Sequence, residues 1–284
     1  IVTDELQRER MIERLLHSPS YRVAYKDVDF LTGPKLRAMR MELELLKTEF
    51  ALHDNHIRST IVVFGSTRIV EPAVAHKRLE LAQLQLADTP TDPRRLRAVQ
   101  RAERLLAKSH YYETARRFAQ LVSEACQSDE QCDHVVVTGG GPGIMEAANR
   151  GAHDCGAKSI GLNIRLPHEQ APNPYITPEL CFQFHYFALR KFHFILRAKA
   201  LVVFPGGFGT LDELFDALTL RQTGRMQEIP IIMFGPDYWR RVVDFDYLAD
   251  EGTIDDADLD LFRYAETAEE AWEMIQGFHR RHTG

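Results

Sequence analysis

Val202-Val203-Phe204-Pro205-Gly206-Gly207-Phe208-Gly209-Thr210-Leu211-Asp212-Glu213 decides how this chain folds. An apolar run, expected as a buried strand, enters a glycine-rich turn and leaves as a helix. The turn offers backbone N–H groups with no Cβ in the way. The helix start adds its positive dipole end and its unpaired donors, so the place suits an anion and above all a phosphate. Thr210 stands where an N-cap hydroxyl would stand, and Glu213 three residues on completes a capping box. The functional reading of Glu213 is a carboxylate one helical turn from a bound phosphate, directed at the sugar that carries it.

A second unit of the same kind lies upstream, from His134 through Thr138-Gly139-Gly140-Gly141-Pro142-Gly143 to Ile144-Met145-Glu146 and Gly151. Pro142 fits a first helical turn, where its missing N–H costs nothing. One glycine-rich loop is weak evidence, because glycines also serve ordinary tight turns. Two strand–glycine–helix units in one chain point to a phosphate-bearing ligand. Strand and helix alternate through the rest, which calls for a doubly wound, Rossmann-like α/β fold with a parallel sheet covered on both faces.

These two stretches, GGGPGIMEAANRGA (Gly139 to Ala152) and PGGFGTLDE (Pro205 to Glu213), resemble the signature motifs of the Lonely Guy (LOG) family, many of whose members carry the label "lysine decarboxylase-like". The resemblance runs from about Ser59 to the C-terminus. It implies a phosphoribohydrolase, which cuts the N-glycosidic bond of a nucleoside 5′-monophosphate of purine, pyrimidine or cytokinin type to give free base and ribose 5-phosphate. Arg190-Lys191 falls where the family has an arginine–lysine pair usually preceded by glutamate; Leu189 takes that place here. The family's catalytic arginine is carried onto Arg190 and its carboxylate partner onto Glu213. The resemblance also implies a homodimer, or a higher assembly given the additions in this chain, with sites near the interface.

With 284 residues, 44% of them hydrophobic, the chain has ample material for one α/β domain with additions. A net charge of −6 gives no sign of a nucleic-acid-binding face. No run reaches membrane-spanning length, and no leader pattern is read ahead of the first helix. Cys126, Cys132, Cys155 and Cys181 show no CxxC spacing and read as reduced thiols of a cytoplasmic protein, with neither a zinc site nor a disulfide framework. The histidines, His185 and His193 among them, lack metal-ligand spacing with acidic partners and read as structural. No metal and no cofactor are expected. A decarboxylase would need a Schiff-base lysine for pyridoxal phosphate, and nothing around Lys191 argues for one.

Taken in order, residues 1–58 read as an N-terminal helical extension and 59–284 as the nucleotide-binding catalytic domain. Asp4 to Leu16 and Pro34 to His53 look helical, and Leu36, Met39, Leu43, Leu46 and Phe50 step by three or four as a packing stripe, read as a helical cap on the domain or a dimer contact. Ser59 to Ser66 is the expected first strand and its turn; Gly65-Ser66 sits where doubly wound folds expose ligand loops. Arg68 follows, either to meet a phosphate or as a surface arginine. Residues 71 to 125 carry two helical segments parted at Ala87 to Pro93, with 71–110 a helical insertion. Ala115, Phe118, Ala119, Leu121 and Val122 are core candidates, and Tyr111 and Tyr112 packing residues. Ser159 to Ile164 and Phe182 to Phe187 read as strands, with a Pro-rich loop from Pro167 to Pro178 of the kind that covers pockets. Ala188 opens a helix ending near Ala198. Ile229 to Phe234 and Phe262 to Tyr264 are further strands, and Thr267 to His282 closes the chain.

The site expected from all this has Arg190 and Glu213 as catalytic residues. Pro205, Gly206, Gly207, Gly209 and Thr210 would cradle the 5′-phosphate. Gly65, Ser66, Thr138, Gly139, Gly140, Gly141 and Gly143 would line the pocket, with Glu146 and Lys191 reaching ribose, base or phosphate. The competing reading is a non-catalytic carrier of a phosphorylated, nucleotide-like ligand, akin to a molybdenum-cofactor carrier. Glycine loops suit that role; the discriminator is the joint presence of Arg190 and Glu213, which a carrier does not need. A dinucleotide oxidoreductase is set aside, because GGGPG lacks the GxGxxG spacing and no ribose-binding acid follows about 20 residues on.

Overall fold

The computed structural model describes residues 2–127, 132–165 and 171–282. The chain divides into two compact units, 1–49 and 50–284. The first holds α1 (Val2–Leu16), α2 (Val28–Thr32) and most of α3 (Arg37–Asp54). Asp27 starts α2 by accepting from the Phe30 N–H at 3.2 Å, and Arg40 donates to the Leu31 and Gly33 carbonyls. Pro34–Leu36 forms a short 3₁₀ turn ahead of α3, so the helix begins later than its sequence pattern suggested. Met39 and Leu43 of the expected stripe stand about half exposed, as does Phe50 at the start of the second unit.

The second unit alternates strand and helix. It runs β1 (Thr60–Phe64), α4 (Pro72–Ala87), α5 (Pro93–Ala107), α6 (His110–Cys126), β2 (Val135–Thr138), α7 (Ile144–Asp154), β3 (Ser159–Ile164) and β4 (Cys181–Phe184). It continues with α8 (Phe187–Leu196), β5 (Ala198–Val203), α9 (Phe208–Gln222), β6 (Ile231–Phe234), α10 (Pro236–Val242), α11 (Phe245–Asp250), β7 (Arg263–Ala265) and α12 (Ala268–His282). Among the described residues seven strands make one sheet, in the order β4-β3-β2-β1-β5-β6-β7, every neighbour parallel. Among the described residues no helix is long and apolar enough to cross a membrane.

Three boundaries differ from the sequence reading. Residues 71–125 hold three helices, because the chain breaks at Lys108-Ser109 between α5 and α6. β4 stops at Phe184, and Phe187 is already the first residue of α8. α8 in turn ends at Leu196, since Ala198 is taken up by β5 pairing with Thr60. At β4 and β5 strand pairing overrides the local pattern, whereas the break at Lys108-Ser109 is closed by local bonds, the Ser109 N–H donating to the Leu106 carbonyl at 3.0 Å. Residues 167–170 of the Pro-rich loop lie outside the described residues.

The central strands β1, β2, β5 and β6 are buried on both faces, as a parallel sheet under two helical layers requires. Val62, Phe64, Leu201 and Val203 face a core closed by Phe194 of α8, Leu214 and Ala217 of α9 and Trp239 of α10. Ile61, Val63, Ala200 and Val202 face the opposite core, closed by Phe118 of α6, Ala147 of α7 and Trp272 of α12. Each buried Val, Leu or Ile side chain contributes about 1.5–3 kcal/mol relative to exposure. α4 and α5 pack on each other, with Ala75 the sole buried residue of α4 and none in α5.

A buried polar knot ties the end of β2 to α7. The Thr138 hydroxyl donates to Asn149 Oδ1 at 2.7 Å and accepts the Gly140 N–H at 3.0 Å. Asn149 is fully buried. Its Nδ2 donates to Ser159 Oγ, and its Oδ1 also accepts from Asn173 Nδ2 at 2.9 Å. Removing such a buried partner leaves other polar groups unsatisfied. Asn149→Ala is therefore expected to destabilise the fold by about 1–3 kcal/mol. The measurement is a lowered urea midpoint at unchanged m.

Candidate active site

The strand order reverses between β1 and β5. Chains leaving adjacent strands toward opposite sides open a crevice at the C-terminal strand ends, where open α/β sheets bind ligands. The two ends are stitched together there. The Phe204 N–H donates to the Phe64 carbonyl at 2.8 Å and the Ser66 N–H to the Pro205 carbonyl at 3.0 Å. A cleft of about 550 Å³ opens above the stitch.

The cleft gathers Gly65 and Ser66 after β1, Arg190 from α8, and Gly207, Gly209, Thr210 and Glu213 from the start of α9. Arg68 also lines it, held by its N–H donating to Ser66 Oγ at 3.1 Å. Met145, Phe187, Phe208 and Asp212 line it too and were missed in the sequence. The two phenylalanines carried a signal that went unread: each opens a helix that follows a strand. Phe208 is 93% exposed, an unusual placement for a phenyl ring.

The capping box expected at Thr210 is absent. α9 begins at Phe208 with Gly207 as its cap and no side-chain cap bond, so Thr210 falls in the first turn and donates its N–H to the Gly207 carbonyl at 3.0 Å. Two glycines let the chain tighten into the helix earlier than a Thr cap would. Pro142 likewise lies ahead of α7, whose cap is Gly143.

Glu213 sits in the second turn of α9 with only 8% exposure. Arg190 NH1 lies 3.8 Å from its Oε1 and Lys191 Nζ 3.9 Å from its Oε2. These are Coulombic contacts longer than a hydrogen bond, so the carboxylate keeps acceptor capacity. Burial pushes the Glu213 carboxyl up to about 7, against the pull of Lys191 and Arg190. Arg190 is fixed from behind: its Nε donates to the Leu162 carbonyl at 2.7 Å, and its guanidinium lies 5.0 Å over the Phe194 ring. Burial lowers its pKa, opposed by Glu213 and Asp212.

The first glycine loop supports this pair without lining the cleft itself. Gly139 makes room for Arg190, since a Cβ there would fall against the guanidinium and the Met145 sulfur. Gly143, at φ 73°, lies against the Ser66 carbonyl, a conformation and a gap that only glycine fills. Asn173 donates its N–H to the Gly140 carbonyl at 2.9 Å and its Nδ2 to the Gly141 carbonyl at 3.1 Å. Thr138 is spent in the polar knot below. Glu146 accepts from the Tyr112 hydroxyl at 2.9 Å, away from the cleft. Pro205 and Gly206 contribute backbone: the Pro205 carbonyl to the stitch, the Gly206 carbonyl to the Tyr238 hydroxyl. Asn149 and Asn173 were not anticipated as loop clamps; an asparagine on the otherwise apolar face of α7 was the available signal.

Lys191 is held by carboxylates, Asp212 at 2.9 Å and Asp216 at 3.6 Å besides Glu213. Burial works to lower its pKa, but the Asp212 hydrogen bond and the Glu213 and Asp216 charges outweigh it and raise it. A Schiff-base lysine needs the opposite, so these residues do not fit pyridoxal phosphate chemistry.

Residues 145–275 match the family model described as "possible lysine decarboxylase". The chain is 29% identical over 140 residues to the probable cytokinin riboside 5′-monophosphate phosphoribohydrolase LOG4 of Oryza sativa subsp. japonica, covering 48% of this chain and 59% of that protein. It is 28% identical over 148 residues to the cytokinin riboside 5′-monophosphate phosphoribohydrolase LOG3 of Arabidopsis thaliana, covering 51% and 67%. The match thus spans about three fifths of the rice relative. Among solved structures, a molybdenum cofactor binding protein from Rippkaea orientalis aligns at a TM-score of 0.43 and 18% identity, over 59% of this chain and 87% of that one.

The raised Glu213 pKa makes a stability prediction. A carboxyl whose folded pKa lies above its unfolded value is tolerated below the unfolded value and costs stability as pH rises through the folded one. Glu213→Gln is expected to raise the melting temperature above about pH 7, with the gain fading as pH falls toward 4.5. Thermal denaturation of both proteins across that range checks it.

Proposed function

We propose that this chain, which carries a LOG-type domain of the Lonely Guy family, hydrolyses the N-glycosidic bond of a nucleoside 5′-monophosphate to free base and ribose 5-phosphate. The observation that carries the reading is the Arg190–Glu213 pair, 3.8 Å apart with the carboxylate buried, beside a glycine-bounded helix N-terminus at the sheet's switch point. The relatives named for cytokinin nucleotides support the reaction class, and the base is part of the proposal.

The chemistry follows from charge. Cleavage of an N-glycosidic bond passes through an oxocarbenium-like state with positive charge on the ribose. A carboxylate in a dry pocket stabilises that charge more strongly than water does and needs no reorganisation as it develops. Glu213 is that carboxylate, and it orients the ribose hydroxyls or the attacking water. The first-turn N–H groups of α9, at Phe208 and Gly209, have no helical acceptor and take the 5′-phosphate, with Thr210 beside them. Arg190, immobilised by Leu162 and Phe194, holds Glu213 and the phosphorylated sugar in one geometry. Phe208 and Phe187 offer aromatic faces to the base at the cleft mouth. The same reading carries a homodimer with the sites near its interface.

Base release from a panel of nucleoside 5′-monophosphates, with the matching nucleosides as controls, tests the reading. Release from monophosphates alone is expected. Silence across the panel from protein that still binds a nucleotide by calorimetry moves the reading to a carrier. Glu213→Gln is expected to lower kcat by about 10²–10³-fold while nucleotide binding persists, and Arg190→Ala to lower kcat/KM. In the wild type kcat/KM rises with pH through about 7 as Glu213 ionises; a flat profile there removes Glu213 from the charge-stabilising role.

A further inference from the structure

Across the Pro205-Gly206 turn from the active-site cleft lies a second one, of about 560 Å³, that the reaction does not use. Its walls are the end of α5 and start of α6 on one side and α10 on the other. Arg104, Lys108 and Arg241 line it together with His110, against one lining carboxylate, Asp237. Glu266 adds a second carboxylate near Tyr111. This excess of cations stands in a chain with 41 acidic and 35 basic residues.

Arg104 and Arg241 each occupy the last turn of a helix, where a cation complements the C-terminal dipole. Lys108 does so directly, donating to the Arg104 carbonyl at 3.4 Å. Dipole complementation accounts for each cation singly. It does not account for two helix ends converging on one concavity of small-molecule size. Neither Arg104 nor Arg241 forms an ion pair among the described residues. The ring of Tyr111 adds an aromatic wall, with the His110 ring 4.0 Å away.

This cleft is joined to the first. Tyr238 lines it and donates its hydroxyl to the Gly206 carbonyl. Gly206 in turn lies directly against the Thr210 side chain. A ligand that moves α10 therefore acts on the turn that precedes α9.

We propose that the cleft bounded by Arg104, Lys108 and Arg241 binds a small molecule bearing a di- or triphosphate group, and that its occupancy is felt at the active site through the Tyr238–Gly206 hydrogen bond. Three cations around one cavity match several phosphate charges better than one, and the His110–Tyr111 wall accommodates a flat organic part. Binding stands independently of the proposed reaction; only the effect on turnover rests on it.

The probe is tripolyphosphate, titrated by calorimetry into the full chain held in saturating ribose 5-phosphate. Wild type is expected to bind one equivalent, and R104E/R241E to bind at least tenfold more weakly, with R104Q/R241Q as the milder pair should charge reversal disturb folding. Equal binding by wild type and both pairs, or no binding by wild type, overturns the site. If ribose 5-phosphate itself fails to bind, the reading of the first cleft fails, while the comparison between wild type and the arginine variants still decides the second. For the coupling, tripolyphosphate is expected to change base release severalfold in wild type and not in Tyr238→Phe; an equal change in both overturns it.

Discussion

Burying a carboxylate next to a helix N-terminus costs solvation that few neighbours can return, and the architecture around Glu213 follows from that constraint. Two cations, Arg190 and Lys191, approach it from consecutive positions of α8, yet neither closes to hydrogen-bond distance. The carboxyl therefore stays poised, with a pKa lifted to about 7 by burial rather than clamped low by a tight ion pair. Holding Arg190 at that distance takes a backbone carbonyl from β3, a phenyl ring from its own helix and a glycine in the loop after β2. Three separate segments are thus committed to the placement of one guanidinium.

The sheet makes that convergence possible. Reversal of strand order between β1 and β5 brings Gly65-Ser66 and Pro205-Gly206-Gly207 side by side, and the hydrogen bonds between them fix the floor of the cleft. The loop after β2 is held from below by Thr138, Asn149 and Asn173, so its glycines give close approach without looseness. Rigid support of this kind suits the proposed reaction, whose main demand is electrostatic preorganisation.

Much of this was legible in the sequence. The two glycine turns, the strand–helix alternation and the apolar strands identified the sheet, because a parallel sheet under two helical layers leaves a near-continuous hydrophobic signature. Arg190 and Glu213 were singled out and do meet in one cleft. The cap of α9 was misread, since Thr–x–x–Glu is an ordinary helix-start pattern and only the tight Gly206-Gly207 turn moves the start forward. Thr138 and Glu146 were expected at the ligand and are engaged in the polar network beneath the loop and with Tyr112 instead. Nothing in a linear sequence distinguishes a carboxylate facing a cleft from one facing a tyrosine 34 positions away.

The sequence by itself determined the local chemistry: where glycine permits a turn, where a helix N-terminus can receive an anion, and which residues bury. Those properties depend on neighbours a few positions apart. Only the tertiary structure decided that Arg190 stands 3.8 Å from Glu213, that Asn173 clamps Gly140 and Gly141, and that Tyr238 reaches Gly206. Each of these joins segments far apart in the chain, and their distances are set by strand order and helix packing, which no local pattern encodes.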